Sequence, residues 1–330
     1  MMDRYNRKLN YLRISITDRC NLNCIYCTPW NFISKLHHND ILSYEEILRI
    51  VRIGRNLGIS KVRVTGGEPL VRKNVNHFLK QLTAIDGLQD ISLTTNGIYL
   101  KENLDSIIAA RINRLNISLD SLNPEKYCKI TGHDLFFKVW EGIEDAEKKG
   151  INPIKINVVV LKGYNDLELG DFAKLTFTKP YHIRFIEYMP MGKAKLEGIK
   201  NLYAPEIKKE LEKLGRLEKV EKSANDGPAD RYKFQGALGE IGFIKAMSGH
   251  FCNTCNRLRL TAGGYIKTCL LSGPDSNIPD IDIKGPLRSG ASDDDLTNIF
   301  LEAIQCKPKG HKLTIDNQKS ALGQMSSIGG

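Results

Sequence analysis

The feature that most constrains this chain is a set of three cysteines within eight residues. Cys20, Cys24 and Cys27 are spaced C-x3-C-x2-C, and the preceding segment 11–17 alternates like a β-strand. The cysteines are therefore predicted to lie on a loop that leaves the end of a strand. Three thiolates on one short loop can hold three corners of an iron–sulfur cube, which leaves the fourth iron open for a small molecule. The alternative is a zinc knuckle or a set of structural thiols, although zinc usually pairs its ligands as C-x2-C and needs a fourth.

Composition limits where such a site would work. The N-terminal residues are polar and lack the apolar core of a signal peptide, and no apolar run approaches the length of a membrane span. We therefore expect a cytoplasmic protein without a membrane partner, in a compartment where thiols stay reduced. Eight cysteines in that setting indicate metal binding or catalysis rather than disulfides.

The charge balance indicates the chemistry of a partner. With 48 Lys and Arg against 38 Asp and Glu, the net charge is +10, which favours an anionic ligand such as nucleic acid, a membrane surface or a phosphorylated small molecule. The basic residues are spread along the chain without a basic tail. A phosphate-rich ligand in a cleft explains this pattern as well as RNA does.

The hydrophobic pattern predicts an α/β fold. Strand-like segments at 11–17, 61–65, 91–95, 114–119, 154–160 and 183–187 are each followed by a helix or a loop. This alternation predicts a parallel sheet, arranged as an incomplete (β/α)6 TIM-like barrel with function at the carboxyl ends of its strands. Beyond residue 190, a charged helix and short strands predict a C-terminal α+β extension that closes the barrel mouth. We therefore divide the chain into domains 1–190 and 191–330, with a loop or disordered tail from Lys307 onward.

A second cysteine set lies near the C-terminus. Cys252, Cys255 and Cys269 are spaced C-x2-C-x13-C, which again offers three thiolates without an obvious fourth. A second open cluster and a zinc ribbon that uses His250 are the two interpretations. Arg257 and Arg259 follow directly and would share one face of a strand, where two guanidiniums can clamp phosphate oxygens. The alternative is an exposed strand with a polar face.

Several motifs carry a resemblance to a known family. The loop from Cys20 to Cys27 resembles the signature of radical S-adenosylmethionine enzymes, and residues 65–69, Thr-Gly-Gly-Glu-Pro, resemble the GGEP motif of that superfamily. Segment 252–261 resembles one branch, the GTP 3′,8-cyclases of molybdenum cofactor biosynthesis. The similarity extends over residues 12–269, and the final Gly329-Gly330 resembles the C-terminal double glycine of that branch. One departure is Thr28 before Pro29, where the family more often has methionine.

The resemblance implies a role for each matching residue. It implies a 4Fe–4S cluster on Cys20, Cys24 and Cys27 that binds S-adenosylmethionine, and a second on Cys252, Cys255 and Cys269 that meets the guanine of GTP. It implies S-adenosylmethionine contacts at Tyr26, Gly67, Ser118 and Met189. Gly67 lacks a Cβ, which would let the backbone approach the ligand closely. The GTP contacts implied are Arg13, Arg63, Thr94, Lys155, Arg257, Leu258 and Arg259, and the catalytic positions are Arg257, Arg259, Gly329 and Gly330.

The resemblance also implies a reaction. A 5′-deoxyadenosyl radical removes the 3′ hydrogen of GTP, and C3′ attacks C8 of guanine to give 3′,8-cyclo-7,8-dihydro-GTP. A homodimer and a downstream cyclic pyranopterin monophosphate synthase are implied as partners, whereas the electron donor is unspecified. Two other interpretations stay open: a peptide-maturing radical enzyme with an auxiliary cluster, and a non-enzymatic zinc protein that binds RNA. Aromatic RNA-binding signatures are missing from the sequence, so we expect no nucleic-acid partner.

Overall fold

The computed structural model describes residues 1–27, 35–112, 114–189, 201–221, 227–272, 278–311 and 328. Within these ranges, the strands are β1 (Tyr11–Ser15), β2 (Lys61–Thr65), β3 (Asp90–Thr95), β4 (Leu115–Ser118), β5 (Ile154–Val160), β6 (His182–Glu187), β7 (Leu217–Lys219), β8 (Asp230–Phe234), β9 (Glu240–Ile244), β10 (Arg257–Leu260), β11 (Tyr265–Lys267) and β12 (Ile281–Asp282). The α-helices are α1 (Tyr44–Asn56), α2 (Val75–Thr83), α3 (Leu100–Ala109), α4 (Pro124–Thr131), α5 (Phe136–Lys148), α6 (Leu169–Thr178), α7 (Ala204–Leu211), α8 (Lys284–Arg288) and α9 (Asp293–Gln305).

The described strands form one sheet in the order β12-β11-β10-β1-β2-β3-β4-β5-β6-β9-β8-β7. The strands from β10 through β1–β6 to β9 run parallel to their neighbours, and the four outer strands pair antiparallel. The predicted α/β fold with a parallel sheet is confirmed, and the six predicted βα strands lie in sequence order. The parallel part is longer than predicted, because β9 and β10 extend it at both sides.

The sheet curves as a partial barrel does. Arg63 on β2 and Arg184 on β6 are close enough for their charges to interact, although β3, β4 and β5 lie between their strands. In a flat sheet these two strands would be about 19 Å apart, given a spacing of about 4.8 Å between neighbours. The inner faces of β2 and β6 therefore face each other across a common interior.

The C-terminal region contributes to the same sheet as the N-terminal half. β10 pairs with β1 from Tyr11 opposite Arg257 to Ile14 opposite Leu260, and β9 pairs with β6. The sequence predicts an extension over the barrel mouth. The alternation of apolar and polar side chains can indicate a strand, but it cannot show which edge of the sheet that strand joins. The proposed domain boundary at residue 190 lies outside the described residues, and its division of the chain stays a prediction.

One hydrophobic core spans both halves of the chain. Leu12 and Ile14 of β1 and Leu258 and Leu260 of β10 are fully buried in it. A capping box begins α1, with the Ser43 hydroxyl accepting from the Glu46 amide and the Glu46 carboxylate accepting from the Ser43 amide. Of the helices in the described ranges, none is long and apolar enough to cross a bilayer.

Candidate active site

Both cysteine triplets line one cavity in the barrel interior. The cavity is bordered by all six cysteines of the two motifs, together with residues from β1–β6, β9 and β10. The first triplet follows β1. In the second triplet, Cys252 and Cys255 precede β10 and Cys269 follows β11. Strand β10 pairs with β1 on one side and with β11 on the other. Because β1 and β10 are neighbours in the sheet, two motifs from opposite ends of the sequence reach the same cavity.

The first triplet is held by backbone contacts of its own loop. The amides of Asn23 and Ile25 donate to carbonyls at the end of α4 at 3.0 Å each, and the Leu22 amide approaches Cys20 Sγ at 3.4 Å. Burial raises the pKa of Cys20 to about 11, with the Glu68 charge adding to the effect. Burial and then the Asp120 charge raise the pKa of Cys24 well above its usual value. These sulfurs would become thiolates readily only with a bound cation such as iron.

The Gly-Gly-Glu motif after β2 fixes the start of the cysteine loop. A Cβ at Gly67 would lie 2.3 Å from the carbonyl oxygen of Arg19, and the Gly67 amide donates to Thr17 at 2.7 Å. The glycine is therefore required by the backbone before the cysteines, whereas the sequence reasoning attributed it to the ligand. Buried Glu68 accepts from the Asn96 amide at 2.6 Å and from the Thr95 hydroxyl at 2.8 Å, which joins the ends of β2 and β3.

The four residues assigned to S-adenosylmethionine line the same cavity as the first triplet, although Met189 packs with a hydrophobic cluster that also contacts Cys269 of the second triplet. Those that line the cavity are Tyr26, Gly67, Ser118 and Met189. The Tyr26 hydroxyl donates to Asp120 Oδ2 at 2.6 Å, and Asp120 Oδ1 accepts from the Val159 amide at 2.8 Å. Burial raises the pKa of Asp120 to about 6. Asp120 is not among the predicted site residues, although its position directly after a predicted strand is a usable signal.

The second triplet has cationic neighbours. Cys252 and Cys255 lie at a short 3-10 turn before β10, and Cys269 follows β11. Burial by itself would raise the pKa of Cys255, but the charges of Arg257 and Lys307 outweigh it and lower that pKa to about 6. This thiol is thus prepared to act as a thiolate ligand.

The spacing of the sulfur atoms tests which metal each triplet fits. Tetrahedral zinc with sulfur at about 2.3 Å would bring its ligand sulfurs to about 3.8 Å of one another. Among the residues that the structure describes, neither triplet gathers its three sulfurs within 4.8 Å, whereas His250, Cys252 and His311 do gather their ligand atoms. His250 therefore lies near Cys252 but does not complete a compact zinc site with Cys255 and Cys269. The wider triplets fit a polynuclear iron–sulfur cluster better.

Cationic side chains form rows across the inner face of the sheet. Arg13 lies opposite Arg63 on one side and Arg259 on the other, and in the row below Tyr11 lies between Lys61 and Arg257. Burial, followed by the charges of Arg13 and Arg184, lowers the pKa of Arg63 to about 9. Like charges on adjacent strands repel one another, so this surface is suited to a multiply charged anion.

The structure places most of the predicted GTP residues at this surface. Those that line the cavity are Arg13, Arg63, Thr94, Arg257 and Arg259. Lys155 lies near Arg184 and Arg63, and its burial and their charges lower its pKa to about 6. The Leu258 side chain is fully buried in the core, so only its backbone faces the neighbouring residues of the site.

One arginine of the cavity was not predicted, and two predicted catalytic residues lie outside the described part of the chain. Arg184 was not predicted, yet it lines the cavity and donates to Asn116 Oδ1 at 3.3 Å. Gly329 and Gly330 lie outside the described residues. Ile328, directly before them, packs with Met247 and Leu271, and its carbonyl accepts from Arg259 Nη1 at 3.3 Å.

Comparisons with known proteins agree with this arrangement. The family described as the Radical SAM superfamily matches residues 14–176, and Molybdenum Cofactor Synthesis C matches residues 181–313. The GTP 3',8-cyclase of Moorella thermoacetica is 46% identical over 330 residues, covering 100% of both chains. That of Thermodesulfovibrio yellowstonii is 46% identical over 332 residues, also with 100% of both covered.

A solved structure supports the fold independently of sequence. Streptococcus suis SuiB bound to S-adenosylmethionine superimposes with a TM-score of 0.58 and 16% identity, over 83% of this chain and 63% of that one. At this identity the likeness concerns the fold alone. The full-length identity to the cyclases, together with both family matches, places the chain in the GTP 3′,8-cyclase family of the radical S-adenosylmethionine superfamily.

Proposed function

We propose that this chain converts GTP to (8S)-3′,8-cyclo-7,8-dihydro-GTP, the first step of molybdenum cofactor biosynthesis. The observation that carries the proposal is a single cavity lined by both cysteine triplets and by rows of arginines on adjacent strands. A radical generated at one triplet can act only on a substrate held in the same water-excluding space. The full-length identity to GTP 3',8-cyclases supports the same assignment.

S-adenosylmethionine is proposed to bind beside the first triplet. When bound, a 4Fe–4S cluster on Cys20, Cys24 and Cys27 supplies the electron that turns S-adenosylmethionine into a source of the 5′-deoxyadenosyl radical. Gly67, Ser118 and Met189 line the cavity and would contact this ligand, and Tyr26 is oriented by its hydrogen bond to Asp120. Burial raises the pKa of Asp120 to about 6 and that of Glu68 to about 7, and a ligand with a sulfonium and an ammonium group would favour the ionised form of both carboxyls.

GTP is proposed to bind beside the second triplet. Arg257 and Arg259 clamp phosphate oxygens, Arg13, Arg63 and Arg184 add further cations, and Thr94 adds a hydroxyl. Lys155, whose pKa burial lowers to about 6, would gain its proton beside the triphosphate. About four negative charges on the triphosphate would relieve the repulsion within the arginine rows. A second 4Fe–4S cluster on Cys252, Cys255 and Cys269 would meet the guanine, with the Leu258 backbone nearby. Gly329 and Gly330 act as a catalytic tail, supported by the contact of Ile328 with Arg259.

The remaining parts of the proposal concern the surroundings of the reaction. We propose a cytoplasmic homodimer that acts on a nucleotide rather than on nucleic acid, and a C-terminal region, 191–330, that closes the mouth of the barrel formed by 1–190. The product passes to a cyclic pyranopterin monophosphate synthase. Arginine side chains line a cavity inside the protein, and Arg63, Arg184 and Arg259 among them are buried. This location supports a small anionic substrate better than a large polyanion that would need an exposed cationic surface.

Anaerobic reconstitution followed by metal and product analysis tests this function. We expect about eight irons per chain, since each cubane holds about four. Reduced protein with S-adenosylmethionine and GTP should release 5′-deoxyadenosine together with a cyclised nucleotide. Two zincs and no iron would contradict the enzyme assignment. Iron and 5′-deoxyadenosine without GTP turnover would favour the peptide-maturing alternative.

A further inference from the structure

We propose that Lys307 is a positioning residue of the second cysteine triplet, which its ammonium group ties together and whose negative charge it offsets. The inference rests on the second cluster of the proposed function. Lys307 follows α9, where the sequence predicts a loop or disordered tail. In the structure its side chain is buried, at 2% exposure. A lysine is rarely buried this fully unless its charge is paired, so its surroundings call for an explanation.

The ammonium of Lys307 joins two separate ligand segments. Lys307 Nζ donates to the carbonyl of Arg257 at 2.8 Å and to the carbonyl of Thr268 at 2.6 Å. Arg257 lies two residues after Cys255, and Thr268 directly precedes Cys269. One side chain therefore fixes the distance between the backbone that carries the second ligand and the backbone that carries the third.

The residues after Lys307 extend this tie to the third ligand segment. Arg7 Nη1 donates to the carbonyl of Cys252 at 2.8 Å and to the carbonyl of Lys309 at 3.1 Å, and Arg7 Nη2 donates to the carbonyl of Pro308 at 2.6 Å. Gly310 lies against the same cysteine, since a Cβ there would be 3.5 Å from Cys252 Sγ. Residues 307–310, which we call the strap, thus contact the segments of all three ligands.

The charge of Lys307 matches the chemistry of the site. Burial lowers the pKa of Lys307, and the charged forms of Cys255 and Cys269 act against that shift by favouring the ammonium. An oxidised 4Fe–4S cluster with three thiolates carries a net charge of about −1, which one buried ammonium offsets. Because reduction adds a further negative charge, a neighbouring cation makes the cluster easier to reduce and harder to lose.

The test compares Lys307→Gln with Lys307→Arg in the full chain. Glutamine removes the charge but keeps a donor for one carbonyl, whereas arginine keeps the charge. Lys233→Gln, at an exposed position on β8, is the matched control for loss of one positive charge. We measure iron per chain, the reduction potential of the second cluster by electron paramagnetic resonance, and 5′-deoxyadenosine release without GTP as a sign of an intact barrel.

The expected result is specific to the second cluster. Lys307→Gln should either hold only about four irons per chain or retain about eight with a lower potential of the second cluster. Lys307→Arg and Lys233→Gln should match the unmodified chain, and all variants should release 5′-deoxyadenosine. If Lys307→Gln does not fold, a folded Lys307→Arg with unchanged potential supports the role of the charge.

Two outcomes would overturn the proposal, and they differ from failure of the proposed function. Lys307→Gln with the iron content and potential of the unmodified chain would remove the role of Lys307 alone. A lower potential in Lys307→Arg equal to that in Lys307→Gln would refute the charge argument. By contrast, about four irons per chain in the unmodified protein would mean that the second cluster itself is missing.

Discussion

The two cysteine triplets share one cavity but lie in opposite electrostatic surroundings. The nearest charges to the first triplet are the carboxyls of Glu68 and Asp120, which add to burial in raising the thiol pKa values. The second triplet faces Arg257 and Lys307, which lower the pKa of Cys255 to about 6 despite burial. Both Cys24 and Cys255 are partly buried, so the opposite shifts of their pKa values arise from their charged neighbours, whereas burial still raises the pKa of Cys269 against the charge of Lys307.

The difference corresponds to the charges of the two proposed ligands. S-adenosylmethionine carries a sulfonium and an ammonium group, which anionic neighbours favour, whereas GTP carries a triphosphate, which cations favour. Two chemically similar metal sites can thus bind different molecules in one cavity. The protein separates them by the charge placed beside each triplet.

The two triplets also differ in how they are held. The first is fixed by the hydrogen bonds of a short loop to the end of α4 and to the strand ends. The second needs Arg7 from the N-terminal segment and Lys307 from the segment after α9. The first site thus depends on contacts within the barrel, and the second depends on segments from both ends of the sequence that meet in the folded chain.

Removing one ligand from each triplet is the strongest test of this separation. Cys24→Ser should abolish both 5′-deoxyadenosine release and GTP cyclisation, because the radical source is lost. Cys269→Ser should abolish cyclisation while 5′-deoxyadenosine release persists. Each variant should hold about four irons per chain, measured by iron analysis. Loss of radical formation in Cys269→Ser would show that the two sites are not independent.

Substitution of Arg259 tests whether the cations beside the second triplet bind GTP. Arg259→Ala should lower kcat/KM for GTP by about 100-fold, which corresponds to about 2.7 kcal/mol, because a buried charge-assisted contact is lost. Arg259→Lys keeps the charge without the planar fork and should lose about tenfold. The affinity for S-adenosylmethionine, measured by equilibrium binding, should stay unchanged in both. An equal loss of affinity for both ligands would argue against separate binding regions.

Substitution of Asp120 tests whether the carboxyl groups beside the first triplet favour binding of S-adenosylmethionine. Asp120→Asn removes the charge near the first triplet while its side-chain oxygen still accepts from the Val159 amide. The dissociation constant for S-adenosylmethionine should rise about tenfold, because a cationic ligand loses a buried counter-charge and Tyr26 loses its strongest acceptor. GTP affinity serves as the internal control. Unchanged S-adenosylmethionine binding would place the cationic ligand away from Asp120.

Ionisation of Tyr11 should make the dissociation constant for GTP depend on pH, with a smaller effect than the substitutions above. Burial would raise the pKa of Tyr11, but the charges of Arg63 and Arg13 outweigh it and lower that pKa to about 7. A bound triphosphate would repel the phenolate and raise the pKa again, so GTP binding takes up a proton. The dissociation constant should therefore rise about fivefold from pH 7 to pH 8. Tyr11→Phe should flatten that part of the profile, and an identical profile in both chains would exclude this role of Tyr11.

The elements that follow local periodicity could be predicted from the sequence. The strand at Lys61–Thr65 was predicted because side-chain alternation is a local signal. The short strand β7 and the helix α8 were missed, because three to five residues carry too little pattern. Strand β10 was predicted, but not its place beside β1, because pairing between distant segments leaves no trace in either one.

The site divides in the same way. The sequence alone determined the residues that chemistry makes recognisable at short range: two cysteine triplets, a Gly-Gly-Glu turn and an Arg-Leu-Arg strand. Only the tertiary structure decided that both triplets line one cavity and that Asp120, Arg184 and Lys307 join them. The physical reason is that spacing along the chain fixes which ligands one loop can offer. The charge beside each ligand depends on strands and segments that become neighbours only when the sheet closes around the cavity.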